Sequence, residues 1–166
     1  MLLCAILIIL SVAADQITKH LVLANIAMYE DVAVLPGIFH FTYIENKGAA
    51  FGMLANNRWV FLLISTVAIA AFVFYIIKYR PKDILLRISL SFVVGGGIGN
   101  MIDRCFRGSV VDFIEVDFID FYVFNVADIF VCVGCGLMVL YIILSEIKDS
   151  KAKKAEKELA NADKSE

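Results

Sequence analysis

Histidine is nearly absent from this chain, and that absence excludes a class of chemistry. Only His20 and His40 occur, far apart and outside any His–Glu–x–x–His pattern, so the helix-borne zinc site of a metallopeptidase is ruled out. The four cysteines do not replace it: Cys132-x-x-Cys135 lies inside an apolar run with no second ligand pair, which makes both packing residues. No glycine-rich phosphate loop follows a strand, since the Gly95–Gly99 run belongs to an apolar helical stretch. Neither a nucleotide nor a nucleic acid is expected as a partner. Residues 1–14 lack a basic lead and a small-residue cleavage site, so they read as the start of a retained span and not as a removable targeting segment.

What the chain has least of is polar surface. Its 166 residues are 61% hydrophobic with a mean hydropathy of +0.83, against about 45–50% apolar in soluble domains. Folded in water, so apolar a chain would expose too much hydrophobic surface, so lipid must be its solvent. Four segments are apolar enough to cross a bilayer core, which takes about 20 helical residues. Trp59–Ile77 holds no charge, proline or glycine, and Val126–Ser145 has Asp128, near its start, as its only charge. Ile84–Ile102 carries Arg87 near its beginning and four glycines near its end, a composition that favours close helix packing in membranes. The first span, about residues 1–27, is interrupted by Asp15 and Lys19.

Basic residues orient this bundle. Ten Lys and Arg flank the second-to-third connection or follow the fourth span, while Lys47, Arg58, Arg104 and Arg107 lie on the opposite side. The positive-inside rule therefore puts both termini in the cytoplasm and the connections 29–58 and 104–125 outside. Both connections alternate polar and apolar residues as half-buried strands do. The expected architecture is an all-α membrane protein: a four-helix transmembrane bundle with a small extracytoplasmic β layer, spanning residues 1–147. Residues 148–166 form a charged Lys/Glu/Ala cytoplasmic tail with no face to bury, expected to be frayed or disordered.

Ionisable groups at membrane depth are functional candidates. Asp15 and Lys19 are one helical turn apart, as are Asn100 and Asp103 or Arg104, and Asn125 and Asp128, so each set shares a face. Asp15 with Lys19 fits either an internal ion pair or a substrate contact, and Asp103 with Arg104 fits an interfacial anchor or a pairing group. Asp112 and Asp128 have no neighbouring cation in sequence. They either face water and cap a helix, or face each other as two carboxylates sharing one proton, the arrangement that activates a water. Glu115, Asp117 and Asp120 alternate with apolar residues and read as the solvated face of a strand. A transporter would place such charges near the midplane within an internal repeat, and an assembly factor would not need the carboxylates.

Five motifs carry a resemblance: DQITK (15–19), NKGAAFG (46–52), GGGIGNMIDR (95–104), VVDF (110–113) and FNVAD (124–128). In this order, with four spans, the chain resembles the lipoprotein signal peptidase (signal peptidase II) family from about Met1 to Ile147. The resemblance implies an aspartic endopeptidase of the bacterial cytoplasmic (inner) membrane. It would remove the signal peptide from lipid-modified prolipoproteins, cleaving before the diacylglyceryl-modified cysteine, as a monomer among membrane lipids, with no metal and no cofactor. By position it implies a catalytic pair at Asp112 and Asp128 and substrate-binding residues at Asn46, Asn100, Arg104 and Asn125. Asp15, Lys19 and Asp103 take supporting roles. The site would face the outer leaflet, with room above the scissile bond left by residues 48–50.

Overall fold

A computed structural model describes residues 1–48 and 58–162. Helix α1 spans Leu2–Asn25, α2 Arg58–Tyr79, α3 Ile84–Phe106 and α4 Val126–Ala162; strands β1 (Asp31–Leu35), β2 (Phe39–Asn46) and β3 (Val110–Val116) form one sheet. Among the described residues, four helices are long and apolar enough to cross a membrane. Two ends differ from the sequence reading by a helical turn or more. Helix α3 runs one turn past Ile102, because Asp103 and Arg104 are held by internal partners. Helix α4 continues through the described part of the tail, where Ala, Lys and Glu, all strong helix formers, extend a helix already nucleated in the apolar span.

Helix α3 is the hub and packs against α1, α2 and α4. Its glycines allow that approach. A Cβ at Gly95 would stand 2.6 Å from the Ser11 Cβ of α1, and one at Gly96 would collide with the Ala127 carbonyl oxygen of α4. Helix α4 reciprocates at Gly134, where a Cβ would meet the Ser89 carbonyl oxygen at 2.8 Å. Asp83 starts α3 by accepting from the Leu85 and Leu86 amides at 2.8 and 3.2 Å.

Two apolar clusters divide the interior. One gathers Cys4, Ile76, Leu86, Leu90 and Val94. The other joins Val22 of α1 to Val111 and Phe113 of β3, so the sheet is seated on the far end of the first helix. Between them along α1 lie buried Ser11, Asp15 and Lys19.

The sheet is antiparallel in the order β1-β2-β3. Phe41 pairs with Ile114 and Ile44 with Asp112, so a bulge in β2 inserts one residue and re-aims Asn46 toward the carboxylate of β3. From the middle strand His40 meets Asp31 of β1, Glu115 of β3 and Asp117 just past it, tying all three strands together. Asp117 holds the His40 imidazole above its ordinary pKa, chiefly by their hydrogen bond. The strand expected to carry Glu115, Asp117 and Asp120 stops at Val116: Asp117 begins a bend tied to Ile38, and Asp120 lies beyond it.

Candidate active site

Two short elements bring Asp112 and Asp128 into one network. Asp112 is the third residue of β3; Asp128 stands in the first turn of α4. The chain between them folds back so that Phe124 and Ile114 exchange backbone hydrogen bonds at 3.0 and 2.8 Å, fixing the start of α4 against the strand. Asn125 is then the N-cap. Its side-chain oxygen accepts from the Asp128 amide at 3.0 Å, and the Asp128 carboxylate accepts from the Asn125 amide at 3.1 Å, a reciprocal capping box.

Both carboxylates receive amide donors on each oxygen. Asp112 accepts from Asn46 Nδ2 at 2.8 Å and from Asn125 Nδ2 at 2.6 Å. Asp128 accepts from Asn100 Nδ2 at 2.8 Å besides the Asn125 backbone. Asp112 is buried, whereas Asp128, Asn46, Asn100 and Arg104 are partly exposed and form the open side of the site. Burial pushes the Asp112 carboxyl up to about 6, and the Asp128 charge adds to this against the opposing bonds from Asn46 and Asn125.

Cations are closer than the sequence spacing suggested. Arg104 reaches across to the Gly48 carbonyl oxygen at 3.3 Å, and its guanidinium lies near enough to interact with Asp112 and Asp128. Asp103 does not depend on Arg104 beside it. Its carboxylate takes the Lys19 ammonium at 2.9 Å, and Lys19 also binds Asp15 at 2.9 Å, so one lysine bridges two helices between two buried acids. Asp15 accepts from the Ala127 amide at 3.0 Å, and Asp103 from the Val111 amide at 3.2 Å, so both acids fasten elements that carry the aspartate pair.

The nine candidate residues therefore converge on one polar layer, with different fates. Asn46, Asn100 and Arg104 remain partly open; Asn125, expected to touch substrate, is fully buried with its oxygen and NH2 group engaged internally. Gln16 was missed. Its Nε2 lies 3.1 Å from Asp15 Oδ2 and from the Gly99 oxygen and 3.3 Å from Asp103 Oδ1, and the sequence signal was its place within DQITK. Ala49 and Ala50, assigned to the room above the scissile bond, lie outside the described residues. A groove of about 480 Å³ lies elsewhere, lined by His40, Asp117, Phe121 and Tyr122. Two of its carboxylates, Glu115 and Asp117, are tied to His40, whereas the amide donors converge on Asp112 and Asp128.

Comparison with known proteins agrees in extent and fold. The chain is 44% identical to the lipoprotein signal peptidase of Symbiobacterium thermophilum over 86% of its own length and 95% of that protein's. It is 40% identical to that of Bacillus subtilis over 86% and 94%. Among solved structures, a bacterial membrane enzyme determined by the in meso method at 2.3 Å resolution superposes with a TM-score of 0.84 at 28% identity, covering 88% of this chain and 90% of that one. The sequence model described as Signal peptidase (SPase) II matches residues 7–144. The chain belongs to the signal peptidase II family.

Proposed function

We propose that the chain is an aspartic endopeptidase that removes signal peptides from lipid-modified prolipoproteins, with Asp112 and Asp128 as its catalytic pair. Membership of the signal peptidase II family supplies the substrate class. The observation that carries the aspartic assignment is the pairing of two carboxylates from separate elements, each oxygen supplied with an amide donor.

In this reading the pair shares one proton, held chiefly on buried Asp112. Asp128 takes a proton from water as the oxygen attacks the scissile carbonyl, while Asp112 gives its proton to the carbonyl oxygen. Collapse of the tetrahedral intermediate returns a proton to the leaving amine and separates the signal peptide from the lipid-bearing cysteine. Asn46, Asn100 and Arg104, on the open side, bind the extended substrate backbone. Asp15, Lys19 and Asp103 hold α1, α3 and the β3 and α4 ends together. The enzyme works as a monomer in contact with membrane lipid, with both termini cytoplasmic and the sheet on the outer face, as the basic-residue asymmetry directs.

The test is turnover of a diacylglyceryl-modified prolipoprotein by the purified protein, followed as loss of the signal-peptide mass. Asp112→Asn and Asp128→Asn should each lower turnover by about 10²–10⁴-fold while binding of the lipidated substrate persists. Near-parental turnover by either folded variant would remove the aspartate pair from the mechanism.

A further inference from the structure

Lys19 makes three bonds, and charge balance accounts for two of them. Its ammonium lies 2.9 Å from Asp15 Oδ2 and 2.9 Å from Asp103 Oδ2, as a buried cation between two carboxylates must. The third bond, also 2.9 Å, goes to Asn100 Oδ1, a neutral amide that needs no compensating charge.

That third bond sets a direction. An ammonium has only donors to offer, so the Asn100 side chain must turn its oxygen to Lys19. Its NH2 group is thereby aimed at Asp128 Oδ1, 2.8 Å away. The Asn100 oxygen also accepts from Asn125 Nδ2 at 3.1 Å, so Asn125 must present its NH2 group there, and the same nitrogen donates to Asp112 at 2.6 Å. The Asn125 oxygen is left for the Asp128 backbone amide. Reversing Asn100 would set its NH2 group against the ammonium and the Asn125 NH2 group, and its oxygen against the Asp128 carboxylate. Neither carboxylate can fix this polarity, since a carboxyl that exchanges a proton is acceptor in one state and donor in the other; the Asp128 backbone amide fixes the Asn125 end, and Lys19 is the obligate donor that fixes the Asn100 end.

We propose that Lys19 is a positioning residue for the aspartate pair: it fixes the direction of Asn100, whose NH2 group holds Asp128 and whose oxygen receives the Asn125 NH2 group that also holds Asp112. The inference rests on the reading of that pair as catalytic. Its consequence lies in kcat, since Lys19 is buried between α1 and α3 and touches no open surface of the site.

Lys19→Met alone would strand two buried acids, so the informative variant is Lys19→Met combined with Asp15→Asn, which keeps the cluster's net charge. Asp15→Asn alone is the reference: its oxygen can still accept from Ala127 and Lys19 stays on Asn100, while its NH2 group faces the Lys19 ammonium and Gln16, so whatever that costs is common to both variants. Measured on the lipidated prolipoprotein and normalised to folded protein, the double variant should lose about tenfold to a hundredfold in kcat relative to Asp15→Asn, the scale of one hydrogen bond to a charged group, with KM within about twofold. A second route avoids the apolar side chain: Lys19→Arg with Asp15→Asn retains an obligate donor and should recover most of that loss. A kcat in folded Lys19→Met/Asp15→Asn close to that of Asp15→Asn, a change confined to KM, or a folded Arg variant no better than Met would each overturn the proposal. If Asp112→Asn and Asp128→Asn are inactive while this occurs, the aspartate pair survives and only the role of Lys19 falls; if they are active, both fall.

Discussion

Replacing Asp112 by Asn should make the protein more stable in mildly alkaline solution while abolishing turnover. The Asp112 carboxyl is raised from 3.8 to about 6 by burial and by the charge of Asp128. A carboxyl with a folded pKa above its unfolded value binds more protons in the native state, so parental stability falls as pH rises between those values. Above about pH 6 the full penalty applies; two units at 1.36 kcal/mol each amount to about 3 kcal/mol. Asn carries no such penalty. It has one acceptor oxygen where the carboxylate uses two, for Asn46 at 2.8 Å and Asn125 at 2.6 Å, so one NH2 group would face another at a cost of about 1–2 kcal/mol. The variant should therefore be more stable than the parent by about 1–2 kcal/mol near pH 8, and less stable by a similar amount below about pH 4, with the curves crossing near pH 5. Denaturation in micelles followed by circular dichroism across this range gives both curves. A stability difference independent of pH would refute the argument, because the titration of Asp112 would then not differ between folded and unfolded chains.

Gly96→Ala should destabilise by about 2 kcal/mol or more, because the new methyl meets the Ala127 backbone oxygen and not a yielding side chain. Gly136→Ala, with nothing within 4 Å of its added carbon, should be neutral or slightly stabilising in the same denaturation assay. Single cysteines at Asp120 and Asp149, in a background stripped of the four native ones, should react with a membrane-impermeant reagent from opposite sides of the membrane. Labelling from one side only would contradict the orientation drawn from the basic residues.

The spans and the polar layer were legible because they rest on local facts. Long uncharged runs require helices in lipid, and an Asp or Lys inside one must find a partner. Which partner was not legible. Sequence proximity paired Asp103 with Arg104, but in an α-helix adjacent residues diverge by about 100°, so Asp103 turns inward to Lys19 while Arg104 turns toward Gly48. The same limit hid Gln16, whose neighbours come from a different helix. The tail was misread for another reason: its lack of an apolar face excludes burial but not helix, and α4 supplies the nucleus that an isolated segment would lack.

Asn125 ties the start of α4 and the proposed catalytic pair to the same atoms. As N-cap it begins α4, and an N-cap side chain contributes about 1 kcal/mol to its helix. Its residual capacity, the NH2 group, goes to Asp112 and Asn100, so the helix start that places Asp128 is also the donor that holds Asp112. A shift of α4 by one residue would rotate Asp128 by about 100° about the helix axis and break the capping box and both amide bonds together. The separation of the two carboxylates is thus tied to a secondary-structure boundary, and a boundary set by a reciprocal cap is harder to displace than a side chain on a loop. This accounts for a polar cluster assembled from a strand and a helix terminus.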